Sequence, residues 1–245
     1  MFNETFQFEQ EWCMIHYPEK PNGFAIFIIG DTQHYVNDET SFWLENKGRE
    51  MMISAFTNEG YLVYYSNLFG RNWGNDIAVK HAFRLYQYII RQEILNNKIH
   101  VLGEGMGALA AIKLIPFLKE NIRSLVLISP CVSLEAHMNQ EQRRKFFYKK
   151  LLREVQFAFQ QQGEGNPEEW QEDITTNLVE MKKGLCIFQR IDNNSYKSQT
   201  ERLKEIMEQR NRNHSPSTFH FVLSDQQMNM TNKLISFLKE QENDL

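Results

Sequence analysis

The chain has no apolar run approaching the roughly 20 residues that cross a bilayer, so no transmembrane segment is expected. Its opening, MFNETFQFEQ, is acidic where a secretory signal is basic and then apolar, which predicts a soluble, cytoplasmic protein. Cysteine is scarce: Cys13, Cys131 and Cys186 are three in number, widely separated, and set in no CxxC or Cys/His spacing. That excludes a disulfide framework and a zinc site, and no metal or other cofactor is expected. Neither charge dominates, with 27 Lys+Arg against 31 Asp+Glu, so the concentrated positive charge that displaces counterions from phosphates is missing and nucleic acid is excluded as a general partner. What the chain does have is apolar and aromatic mass, 42% and 13% of 245 residues, enough for a substantial core in one large domain or two small ones.

Short apolar runs alternate with stretches of helical period, the pattern of parallel strands joined by crossover helices. Strands are predicted at Phe24–Ile29, Tyr61–Tyr65, Ile99–Leu102, Leu125–Ser129, Leu185–Gln189 and Thr218–Leu223, with an edge hairpin between Glu4 and Tyr17. Helices fit at Ser41–Asn58, Ile77–Leu95, Gly107–Glu120, Lys197–Arg210 and Met228–Glu240. From Leu134 to Lys183 no strand pattern occurs, and QQGEGNP interrupts the stretch at Gln161–Pro167. The expected architecture is therefore α/β, a mostly parallel sheet with helices on both faces. Residues 1–133 and 184–245 form its core, and 134–183 form a helical cap insertion.

The informative segment is IHVLGEGMGALAA, Ile99–Ala111: a buried strand, a glycine-rich turn and a helix of small residues. In a GxSxG nucleophile elbow the flanking glycines allow a sharp turn and a close helix–strand approach, which lifts a serine hydroxyl clear of the sheet. Here the serine position is Gly105. A dinucleotide loop is the other meaning of such glycines, but the third glycine of GxGxxG is missing and no acid follows at the end of the next strand.

With FIIGD at Phe27–Asp31, GYLVYYSNLFGRNWG at Gly60–Gly74, LVLISPC at Leu125–Cys131, IFQRIDNN at Ile187–Asn194 and FVLSDQQMNM at Phe221–Met230, the chain resembles the α/β-hydrolase superfamily over nearly its whole length. Within it the resemblance is to small capped carboxylesterases and monoacylglycerol lipases of serine-aminopeptidase type. The resemblance implies a degenerate triad: Gly105 at the nucleophile, Asp192 at the acid and Gln227 at the histidine. It also implies an oxyanion hole from the backbone N–H groups of Asp31 and Met106. Acyl transfer needs an attacking atom and a base, and glycine and glutamine supply neither. A carboxylate at Asp31, if it points inward, is a poor neighbour for developing negative charge. Glu104 and Met106 flank the elbow, and their side chains are expected to diverge from it.

Other candidates have plain readings beside functional ones. Cys131, just past a strand end, is a displaced nucleophile with His137 as its base, or simply a small residue closing the strand; Ser129 and Ser133 share the ambiguity. His34 reads as a surface-loop histidine and His100 as a hydrogen-bonded core histidine. Glu141–Arg153 holds six bases and one acid, with Phe146, Phe147, Leu151, Val155 and Phe159 at helical spacing, the composition of a membrane-surface helix. Six acids between Glu164 and Glu180 complement it, so pairing within the insertion is expected instead. The phenylalanine stripe then either closes on the sheet or lines an acyl-sized pocket, and Trp43, Trp73 and Trp170 wall a pocket or pack. The first expectation for function is a non-catalytic protein, a pseudoenzyme, binding a small apolar or ester-like ligand or a protein partner. The alternative is a carboxylesterase- or thioesterase-type hydrolase using Cys131 or an activated water, for example one held by Asp192 and Gln227.

Overall fold

The computed structural model describes residues 2–160, 172–192 and 195–242. Eight strands, β1 (Phe2–Phe8), β2 (Glu11–Tyr17), β3 (Ala25–Ile29), β4 (Leu62–Ser66), β5 (Ile99–Glu104), β6 (Ile122–Ile128), β7 (Gly184–Arg190) and β8 (Ser217–Val222), form one sheet in the order β1-β2-β4-β3-β5-β6-β7-β8. β1 and β2 make the expected edge hairpin, and β2 joins β4 antiparallel; every other pairing is parallel. β3 through β6 are buried along their whole length, which is why they read as unbroken apolar runs and not as alternating ones.

Helices α1 (Phe42–Glu45), α2 (Lys47–Asn58), α3 (Asp76–Gln92), α4 (Gly107–Leu118), α5 (Leu134–Glu141), α6 (Lys145–Gln160), α7 (Thr175–Glu180), α8 (Thr200–Arg212) and α9 (Gln227–Glu240) complete the fold. α1, α2 and α9 bury Trp43, Met52, Phe56 and Leu234 on one face of the sheet, while α3, α4 and α8 cover the other. Because the parallel strands share a direction, the loops after β3, β5, β6, β7 and β8 emerge along one edge, where α/β sheets hold ligands. Among the described residues no helix is long and apolar enough to cross a membrane.

Three local expectations need correction. The helix over 41–58 is two helices, because Asn46 leaves helical geometry (φ −90°, ψ 109°). Its N–H closes α1 on the Phe42 carbonyl, and its side-chain oxygen accepts from the Arg49 N–H at 3.2 Å to open α2. β5 runs two residues past Leu102, so Glu104 lies inside the sheet's end and is buried. The third concerns the segment between β6 and β7. Of the acids after α6, Glu172 turns to Lys113 of α4 at 3.3 Å and Asp173 to Arg202 of α8, and among the described residues neither pairs with a base of α6. Residues 161–167 and Trp170 lie outside the described residues. The aromatic stripe divides: Leu151, Val155 and Phe159 are buried in the core, whereas Phe146 is 76% exposed and Phe147 51%.

Candidate functional site

The elbow is built as its glycines require. Gly105 stands at the apex in left-handed conformation (φ +53°), its N–H donating to the Ile128 carbonyl at 3.0 Å and its own carbonyl accepting from the Cys131 N–H at 2.9 Å. A β-carbon on Gly107 would overlap the Ile29 carbonyl, so only glycine lets α4 start this close to the end of β3.

The space in front of Gly105 is filled from another loop. Asp31, two residues past β3, places its carboxylate where a β-carbon on residue 105 would go. Its Oδ1 accepts from the Met106 N–H at 2.8 Å and from the Tyr196 hydroxyl at 2.7 Å. The expected oxyanion hole between the Asp31 and Met106 backbones is therefore corrected: the Asp31 side chain already uses the Met106 donor.

Beside this carboxylate lies a buried charge network. Glu104, expected to turn away, lines the same cleft, forms an ion pair with Arg49 of α2, and lies 3.9 Å from Nη1 of Arg190 at the end of β7. The second guanidinium nitrogen of Arg190 donates to Gln227 Oε1 at 3.1 Å. Two arginines and two carboxylates thus share the cleft floor, with Arg49 also stacked 5.3 Å over the Trp43 ring. Asp192 is exposed and accepts from the N–H and hydroxyl of Ser224 at 2.8 and 3.0 Å, contacts that hold its carboxyl below the usual carboxylate range. Among the described residues no hydrogen bond joins it to Gln227, so the acid and histidine positions of the implied triad are not coupled.

The segment between β6 and β7 supplies a wall. His137 of α5 packs its ring against Trp73 (centroids 5.7 Å apart) and Tyr196 (5.0 Å). Burial pulls its pKa down against the opposing charges of Glu141 and Asp31, so the ring is neutral at pH 7. Burial first, and then the charge of Asp31, raises Tyr196 well above the ordinary tyrosine value, keeping its hydroxyl a donor. Over this floor opens a cleft of about 860 Å³, bounded by Phe42, Arg71, Trp73, Phe147, Lys150 and Leu151.

The remaining candidates fall outside the chemistry. Cys131 is fully buried, its thiol directed at the Ser133 carbonyl (3.7 Å) and its pKa pushed far up by burial; among the described residues no hydrogen bond joins it to His137. This removes Cys131 as a nucleophile. Ser129 receives the Arg190 N–H at 3.3 Å, and Ser133 caps α5 by accepting from Ala136 N–H at 3.1 Å. His34 is buried, not on the surface, with Nε2 2.9 Å from the Ser66 carbonyl. His100 is the expected core histidine, bonded to Ser124 Oγ at 2.7 Å. Among the described residues no group of three or more His, Cys, Asp or Glu side chains is placed to hold a metal ion. Sequence reasoning missed Arg49, Arg190 and Tyr196. The one signal for the arginines was a charge on the buried face of a helix and another closing an apolar strand.

No protein-family model and no curated protein sequence matches the chain. Solved structures do match it. Est1E from Butyrivibrio proteoclasticus superposes with a TM-score of 0.70 at 11% identity, covering 98% of each chain. A putative esterase from Staphylococcus aureus gives 0.69 at 12% identity, over 100% of this chain and 84% of its own. A lipase/esterase from Lactobacillus plantarum gives 0.68 at 10%, over 98% and 97%. Among these neighbours are a putative esterase and a lipase/esterase, which overturns the first expectation, that of a non-catalytic binder. From its strand order to its glycine elbow, this chain has the α/β-hydrolase fold.

Proposed function

We propose that the chain is an ester or thioester hydrolase in which the Asp31 carboxylate, and not a serine, activates the attacking group. The supporting observation is the position of that carboxylate: it occupies the space an elbow nucleophile would fill, held by Met106 N–H and Tyr196 OH. Both of those donors meet Oδ1, leaving Oδ2 to accept from a water. As the water oxygen bonds to the acyl carbon, its proton passes to Asp31 and the carbonyl electron pair moves onto the carbonyl oxygen. Collapse of that intermediate breaks the bond to the leaving oxygen or sulfur, and Asp31 returns the proton to it.

This sequence removes the objection to a carboxylate beside an oxyanion. Asp31 loses its negative charge in the step in which the carbonyl oxygen gains one, so the two charges never coexist. The guanidinium groups of Arg49 and Arg190 on the same floor, both facing Glu104, offset the negative charge while it moves. With residues 134–183 as the cap over a core of 1–133 and 184–245, α5 and α6 contribute His137, Phe147 and Leu151. Phe42, Trp73, Phe147 and Leu151 give an acyl chain its apolar wall.

The test is single-turnover hydrolysis of short acyl esters and thioesters in ¹⁸O-water, followed by mass spectrometry. The reading expects label in the first-turnover carboxylic acid and no acyl adduct on the protein. A covalent acyl-enzyme, or a full ester and thioester panel left unhydrolysed, would overturn it.

A further inference from the structure

The outward face of α6 is cationic and aromatic at once. Phe146, Lys149, Arg153 and Phe157 follow one another at helical spacing of three or four residues, so they form one stripe along the helix. Phe146 is 76% and Phe157 66% exposed, one at each end of the stripe. Arg143 and Lys145 extend the positive charge at the stripe's N-terminal end. Among the described residues, Arg143, Lys145, Lys149 and Arg153 make no ion pair. The one acid of the helix, Glu154, turns inward to Arg71. The opposite face, Leu151, Val155 and Phe159, is buried, so the stripe is not needed to hold α6 in place.

We infer that this face of α6 docks on an anionic lipid surface. Charge complementarity selects the partner's sign, and the interleaved rings select its nature: phenylalanines set among lysines and arginines enter the boundary between headgroups and acyl chains while the cations meet the headgroup phosphates. An acidic polypeptide offers the charge without that apolar layer. Lys150 and Phe147 of the same helix line the cleft, so docking in this orientation brings the cleft mouth to the lipid. The inference goes beyond the hydrolase reading and stands without it, and its test reads binding, not turnover.

The experiment is co-sedimentation of the full chain with vesicles of phosphatidylserine and phosphatidylcholine, against phosphatidylcholine alone, at low and high salt. The expected result is binding to the anionic vesicles only, weakened by salt. Lys149→Glu with Arg153→Glu, and separately Phe146→Ser with Phe157→Ser, should each weaken it at least about tenfold, while Lys80→Glu on α3 leaves it unchanged. All these side chains are exposed, and unchanged thermal melting confirms that the variants fold. Absence of binding to the anionic vesicles, or equal binding to phosphatidylcholine alone, would overturn the inference. So would capture by soluble poly-glutamate that the serine substitutions do not affect, which would assign the face to an acidic polypeptide.

Discussion

Asp31 and Gly105 compete for one space: the carboxylate of the first lies where the side chain of the second would begin. Each residue is therefore the condition for the other. Glycine at the apex admits the carboxylate, and the carboxylate, tied to Met106 and Tyr196, gives the bare turn a functional group it does not carry itself.

The two positions should be coupled in stability. Gly105→Ser meets both the carboxylate and a left-handed backbone, and should cost at least about 2 kcal/mol. Asp31→Gly in the same chain should recover part of that loss, a coupling of about 1 kcal/mol in a double-mutant cycle measured by chemical denaturation. Strict additivity would mean the two residues do not share the space.

Glu104 answers two guanidinium groups from below the elbow. Glu104→Gln leaves Arg49 buried without its counter-charge, and should destabilise the fold by about 3 kcal/mol in equilibrium unfolding. A change within experimental error would show that Arg49 is solvated well enough not to depend on Glu104.

Acid should unfold the protein through its buried histidines. Burial lowers His16 and His34 from 6.5 to about 4. A histidine with a depressed folded-state pKa binds more protons when unfolded, so its stabilisation is complete above about pH 6.5 and is lost as pH falls towards 4. The denaturation midpoint should accordingly be flat from pH 7 to 8 and drop steeply from 6 to 4. A midpoint independent of pH in that lower window would contradict the buried, neutral state of these rings.

The thiols should be silent. Cys13, Cys131 and Cys186 are all buried, and burial raises Cys13 and Cys186 to about 12 and Cys131 further. A disulfide reagent at neutral pH should modify none of them in the folded chain and all three after unfolding. Fast modification of Cys131 with loss of hydrolysis would restore it as the nucleophile.

The architecture was readable because buried parallel strands announce themselves as short apolar runs, and because the elbow glycines mark where strand, turn and helix meet. Asn46 shows the limit of periodicity: one side-chain hydrogen bond splits a helix that the apolar pattern carries straight through. The site was less accessible. Gly105 and Asp192 fall in loops at the sheet edge and Gln227 opens α9, but the direction of the Asp31 side chain depends on two donors, Met106 and Tyr196, far from it along the chain. Arg49, Glu104 and Arg190 likewise meet only through the crossovers that bring α2, β5 and β7 together. The acids after α6 complement its bases in sequence, yet Glu172 and Asp173 pair instead with Lys113 and Arg202, since opposite charge in neighbouring segments does not dictate which helix each acid faces.

The most direct test of the account is kcat/KM for acyl ester hydrolysis by the native chain and by Asp31→Asn, an exchange that keeps the shape and a hydrogen-bond acceptor but removes the base. The account predicts a loss of about 100-fold or more in a variant that melts like the native protein. Equal activity in the two proteins would contradict it.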